Sequence, residues 1–247
     1  VILGMEDIKM NKNNVSKFEG FSPESLTFLN DVRVNNSKEW FESHRDDYNK
    51  YLLKPFQNLV IDLSEQILSI DDLIDVAPVI NKTISRIFRD IRFSKDKSLY
   101  KNTMFLTFKR GKKEWRDAPA FFFEISPQSY RYGMGYYSAS KESMDVFRKM
   151  IDENQKSFEK AISFFDKQNV FTIEGEEYKR ILDSTKPTNI NKWYNRKSIH
   201  LVHNNVEVER LFTKDILKDL TTAFNMLKPI YDYLCSVEVR KSKEINK

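Results

Sequence analysis

The sequence predicts a single α+β domain, and three observations carry that prediction. Capped runs with helical spacing fill the chain up to residue 70 and return after residue 140. Short aromatic and β-branched runs lie between them, and no repeat or linker-like stretch divides the chain. With 247 residues, 40% of them hydrophobic and 13% aromatic, there is material for one substantial core. The domain is expected at 17–236, after a poorly ordered lead-in at 1–16 and before a frayed charged tail at 237–247.

Ser22-Pro23-Glu24 is a helix start: a capping hydroxyl, a proline at the first helical position and an early acid. Leu26, Leu29 and Val32 form its stripe, and Asn35-Asn36 closes it. Ser37 caps a second helix carrying Trp40, Phe41, His44, Tyr48 and Tyr51, and Pro55 starts or bends a third that runs to Ile70. Thr103–Lys109 and Ala120–Ile125 read as strands, Ser126–Ser129 as a turn, and Tyr130–Tyr137 as the returning strand. Ser140 caps a helix with Met144, Phe147, Met150 and Ile151, followed by another with Phe158, Ile162 and Phe165. Val170–Ile173 and Ser198–Val202 suit short strands. Thr213 caps a last helix, broken at Pro229.

Charge singles out one segment. Residues 81–116 hold twelve Lys or Arg against three acids, an excess of nine, while the whole chain is only +5. A concentrated positive field attracts an anion. Arg86, Arg89, Arg92, Lys95, Lys97 and Lys101 are therefore the candidate ligand-binding residues. Arginine grips phosphate or carboxylate with a planar fork, and lysine acts as a mobile point charge. Asp90, Asp96 and Tyr100, interleaved with them, are candidate acid–base groups, or else partners that orient the arginines. In TISRIFRDIRF, Ile84, Ile87, Phe88 and Ile91 fit a helical face, yet a strand is equally compatible. SKDKSLYKN has no period and reads as a loop.

Two further places could add to a site. Gly133-Met134-Gly135 lies among Tyr130, Tyr132, Tyr136 and Tyr137, which suggests a bulge or a close backbone approach, or a strand surface walled by tyrosines. Trp193-Tyr194-Asn195-Arg196-Lys197 reads either as an exposed stacking clamp, through Trp193 and Arg196, or as a buried Trp where a strand begins. Several function classes lose support. His44, His200 and His203 lack the companions of a zinc site, and His200 and His203 on a strand would face opposite ways. Walker, dinucleotide and Gly-x-Ser-x-Gly motifs are absent. Asp117 and Glu124 lack the lysine that a metal-dependent nuclease core needs. One cysteine, Cys235, excludes an internal disulfide. No run has the ~20 apolar residues of a membrane span, so the expectation is a soluble cytoplasmic protein with no metal and no membrane partner.

The chain resembles the family called domain of unknown function 2461 over about residues 18–234. The carriers are FEGFSPESLTFL, NNSKEWFESHRDDY, and above all SRIFRDIRFSKDKSLYK, with GMGYYSAS, KPTNINKWYNRK and KPIYDYL later. Leu99 stands where members often have proline before the tyrosine. The resemblance implies one α+β domain and no particular reaction or cofactor.

Three functions compete. The first is a binding module for a phosphate-bearing small molecule or nucleic acid. The second is an enzyme on a phosphorylated or carboxylated substrate, with Asp90 or Asp96 as acid or base. The third is a structural ion-pair network with no ligand.

Overall fold

The computed structural model describes residues 18–92, 95–111, 118–136 and 139–245. The lead-in at 1–16, Phe93, Ser94, residues 112–117 of the basic window (with Asp117) and Tyr137 lie outside the described residues. Five strands form an antiparallel sheet in the order β1-β2-β3-β5-β4: β1 (Met104–Phe108), β2 (Ala120–Ser126), β3 (Ser129–Tyr136), β4 (Thr172–Glu174) and β5 (Ile199–Asn205). The central strands match the sequence expectation to within about a residue at each end.

Alternation assigns the two faces. Phe108, Phe121, Met134 and Leu201 form one cross-strand row, and Leu106, Phe123 and Tyr132 form the next; all are buried under helices. Phe121 stacks on Tyr231 at 4.8 Å, and Phe123 meets Phe21 and Phe56 at 5.8 and 6.1 Å. The opposite face carries Phe105, Thr107, Phe122, Glu124 and Arg131, with Gly133 and Gly135 beside them. The ladder between β2 and β3 is regular, so the glycines mark no bulge. Gly133 is a close backbone approach: its φ is +157°, and a Cβ there would lie 1.8 Å from the Leu201 carbonyl oxygen.

The helices are α1 (Pro23–Val34), α2 (Lys38–Ser43), α3 (Arg45–Asp47) and α4 (Lys54–Ile70), then α5 (Lys141–Glu153), α6 (Gln155–Ile162), α7 (Thr188–Tyr194) and α8 (Asp215–Ile245). Ser37 and Ser140 cap as expected, accepting the N–H groups of Trp40 and Ser143 at 3.2 and 3.1 Å. Between α3 and α4 the chain widens into a π-turn, Tyr48–Leu53. Pro55 explains part of this. It has no N–H for the Tyr51 carbonyl, and the buried Ser25 hydroxyl donates to that oxygen instead, at 2.6 Å.

Two expectations are corrected. α7 was not foreseen, because the TNINKWY run after Pro187 has no clear helical period. The last helix neither breaks at Pro229 nor frays from residue 237. It continues to Ile245. Proline inside a helix costs about 3 kcal/mol. Leu220, Phe224, Leu227, Ile230 and Leu234 are fully buried along this helix, at roughly 1.5–3 kcal/mol each, and outweigh that cost.

The supposed tail also holds an anchor. Glu238, 1% exposed, accepts from the hydroxyls of Tyr136 and Ser143 and pairs with Lys241 at 2.6 Å. Among the described residues, no helix is long and apolar enough to cross a membrane. Glu238→Ala withdraws a carboxylate from a largely buried ammonium and should cost about 3–5 kcal/mol in urea unfolding, whereas a frayed tail would leave the curve unchanged.

Candidate functional site

The segment left open between helix and strand is extended. Ile84 bridges Leu106 of β1, the Ser85 N–H donates to the Phe105 carbonyl, and the Thr107 N–H donates to the Thr83 carbonyl, both at 2.8 Å. Thr83–Ser85 thus covers the edge of the sheet, whose N–H and C=O groups would otherwise lie unpaired. Further on, Phe88 bridges Tyr100; Arg89 and Lys101 donate their N–H groups to the Leu99 and Ile87 carbonyls, so 87–89 and 99–101 form a narrow ribbon. Ile84 and Ile87 are buried, as a helical face would also require. Phe88 and Ile91 are 45% and 39% exposed, which a buried helical face does not allow.

The loop at the end of this ribbon consumes much of its own charge. Asp90 receives Arg92 in two side-chain hydrogen bonds at 3.0 and 2.8 Å, and Arg86 lies 3.5 Å away. Those contacts, led by Arg92, hold the Asp90 carboxyl down to about 2. Asp96 accepts the Ser98 N–H at 2.9 Å and pairs with Arg89 at 2.9 Å, and its pKa is lowered, chiefly by Ser98. Lys97 donates to the Ile91 carbonyl at 2.7 Å. Asn36 grips the Tyr100 backbone through both its N–H and its C=O, at 3.0 Å each.

What remains is a basic pocket of ~260 Å³ beside the edge of β1. Lys82, Arg86, Lys101 and Lys109 line it with Thr83, Ser85 and Thr107, and no acid does. The arrangement follows from the register: Lys82 and Arg86 flank the three residues laid on the edge, while Lys101 and Lys109 flank β1 on either side. Lys109 is held in place because its carbonyl accepts the Asp75 N–H at 3.0 Å, and next to it Arg110 pairs with the buried Asp71 at 2.6 Å. Tyr231 donates to the same Asp71 oxygen at 2.6 Å. Burial alone would raise the Asp71 pKa, but these donors outweigh it and the net shift is downward. The Lys101 ammonium lies over the Phe105 ring, 5.0 Å from its centroid. Its pKa is pushed down, first by burial and then by the charges of Arg86 and Arg89.

Of the residues singled out in the sequence, the fold therefore brings Arg86 and Lys101 together, with Arg89 close enough to act on Lys101. Arg92, Lys95 and Lys97 are exposed on the loop. Tyr100 is buried and stacks on Phe41 at 4.5 Å. Tyr132 and Tyr136 are buried on the helix-covered face of β3; Tyr132 reaches a hollow beside Arg210 and Asp219, away from the basic pocket. Trp193 is fully buried against Phe158 and Phe165, and the exposed clamp is corrected to a packed corner. Arg196 belongs to the same corner, donating to the Lys192 and Gly175 carbonyls and pairing with Glu177. His200 and His203 share β5 and, three residues apart, face opposite ways. Lys82 and Lys109 were missed as individual site residues; the only signal was their place inside the charged window.

An antiparallel sheet packed with helices, with a depression lined by four cations at its covered edge, defines an α+β domain. The family model described as conserved hypothetical protein, domain of unknown function 2461, matches residues 24–233, and the chain belongs to that family. No curated protein matches it.

Arg89 and Asp96 are 22% and 56% exposed, so solvent screens their pair and it adds little to stability. Arg89→Ala should therefore leave a folded protein with a nearly unchanged urea midpoint; unfolding would mark the cluster as scaffold. Asp71 behaves differently. Its depressed pKa gives a stability contribution that is complete above about pH 4 and is lost as pH falls through the lower folded value. Asp71→Asn should thus be clearly destabilised at pH 7, with the gap to the unsubstituted protein closing in acid titrations of unfolding.

Proposed function

We propose that this protein binds an anionic ligand, a phosphate- or carboxylate-bearing small molecule, in the pocket between Lys82, Arg86, Lys101 and Lys109. The observation that supports it is four cationic side chains converging without an acid among the lining residues. Burial first, and then the charges of Arg86 and Arg89, lower the Lys101 pKa, and an anion beside it would favour its charged form. Lys82 and Arg86 each already have one acid outside the lining, Asp75 at 3.9 Å and Asp90 at 3.5 Å, so the counter-charge is needed chiefly at Lys101 and Lys109. The Thr83 and Ser85 side chains add polar groups to the wall. A single compact anion suits the site better than a nucleic-acid backbone. Next to the pocket Asp96 pairs with Arg89, and Asp90 pairs closely with Arg92 and more loosely with Arg86, so a polymer running past the pocket would meet carboxylates there.

Binding is favoured over catalysis for a related reason. Asp90 and Asp96 are both held ionised by local donors, and neither lines the pocket, so neither is placed to exchange a proton with a ligand there.

Calorimetric titration with inorganic phosphate and pyrophosphate tests the reading. Saturable binding is expected, weakened about tenfold or more by Lys101→Ala or Arg86→Ala, each such contact being worth about 1.5–3 kcal/mol. Affinity should also fall on the alkaline side, beginning below the usual lysine range, because Lys101 loses its proton early. Lys101→Ala should remove that part of the pH dependence. Absence of binding, or binding indifferent to both substitutions, would overturn the proposal.

A further inference from the structure

The basic pocket does not end at Phe105 and Thr107. The same two side chains line a second hollow, of ~210 Å³, on the face of the sheet that carries Phe122 and Glu124. Its other walls are Phe122, Glu124 and Arg131. The register explains the continuity: Thr107 stands opposite Phe122, and Phe105 opposite Glu124, which is itself opposite Arg131. The two hollows are chemically unlike. One is cationic and hydroxylic; the other has an aromatic floor closed by an ion pair, Arg131 Nε to Glu124 Oε1 at 2.8 Å. Phe105 is half-buried, so part of its ring remains accessible where the hollows meet, whereas Phe122 is only 5% exposed and serves as floor.

Each hollow alone is smaller than a usual small-molecule site of about 300–1,000 Å³, and the two together reach that range. A ligand filling both must carry an anion at one end and a flat apolar body next to it. At the far end it needs polar edge groups that can address a carboxylate and a guanidinium.

Building on the anion-pocket reading, we infer that the groove takes a phosphomonoester of a planar heteroaromatic, of the size of a nucleoside monophosphate. The phosphate sits among Lys82, Arg86, Lys101 and Lys109, the ring lies on Phe105, and its amino edge donates to Glu124. Charge complementarity sets the orientation, since the four cations attract the phosphate whereas Arg131 at the far end is already paired with Glu124. Base–aromatic stacking of this kind does not depend on reading a sequence.

The test compares ligands on the unsubstituted protein, then on variants whose fold is verified by circular dichroism. Inorganic phosphate, ribose 5-phosphate, adenosine, adenosine 5′-monophosphate and a short single-stranded oligonucleotide are titrated calorimetrically at two salt concentrations. The expected order places the mononucleotide about tenfold or more tighter than either non-aromatic phosphate, as one stacked base provides. Phe105→Leu, which keeps the apolar bulk and removes the ring, should erase the difference between the mononucleotide and ribose 5-phosphate, whatever it does to phosphate affinity through Lys101. Glu124→Gln should reduce the gain in part, and Lys101→Ala should weaken every phosphate. If all phosphates bind alike, the aromatic half of the groove is refuted and the anion site stands. If no phosphate binds, the underlying reading fails with it. An oligonucleotide that binds more tightly than the mononucleotide, with steep salt dependence, would overturn the small-molecule assignment in favour of single-stranded nucleic acid.

Discussion

The candidate site depends on one ladder, the pairing of Thr83–Ser85 with the edge of β1. Two backbone hydrogen bonds of 2.8 Å, Ser85 to Phe105 and Thr107 to Thr83, set its register. That register decides which side chains from the crossing segment meet which from the strand. A slip of one residue would turn every side chain of the segment to the other face. Ile84 would leave the core, and Lys82 and Arg86 would no longer line one pocket with Lys101 and Lys109. The same ladder covers an edge that would otherwise invite another chain. Sheet protection and charge convergence are two effects of one contact.

Several buried polar contacts hold the ladder from outside. Asn36, beyond α1, clamps the Tyr100 backbone and so fixes the strand from which Lys101 projects. Asp71, at the end of α4, joins Arg110 to Tyr231 of α8 and fixes the other end of β1, next to Lys109. Both clamps reach from the helical layer to the sheet. The backbone that carries Lys101 and Lys109 is therefore held to the helical layer, which would lower the entropy cost of gathering these cations around an anion under the proposed reading. Asp90 and Asp96 are different. They pair with Arg92 and Arg89 and act as fasteners.

How much of this could be read from the sequence follows from which forces are local. The strands at Ala120 and Tyr130 were readable because period-two aromatic runs bury one face regardless of context. The caps at Ser37 and Ser140 were readable because capping involves only a few residues. The segment at 84–93 was not, since Ile84, Ile87, Phe88 and Ile91 fit a helix as well as a strand. A distant partner, the unpaired edge of β1, decides between them. Glu238 misled for a similar reason: a charged residue in a charged run signals a solvated tail, and only the approach of Tyr136 and Ser143 buries it. Within the site, the charged window pointed to Arg86 and Lys101. It could not separate them from Arg92, Lys95 and Lys97, because pairing within the loop is a matter of geometry rather than composition.

The central claim is that the ladder gathers a cationic pocket able to hold an anion. The most direct measurement is a titration of the isotope-labelled protein with inorganic phosphate, followed through its amide ¹H–¹⁵N resonances. The account predicts saturating shifts concentrated at residues 81–86, at Lys101 and at 105–109, with the amides of 95–98 little moved. Shifts centred on 95–98, or scattered weakly over all basic residues without saturation, would contradict it.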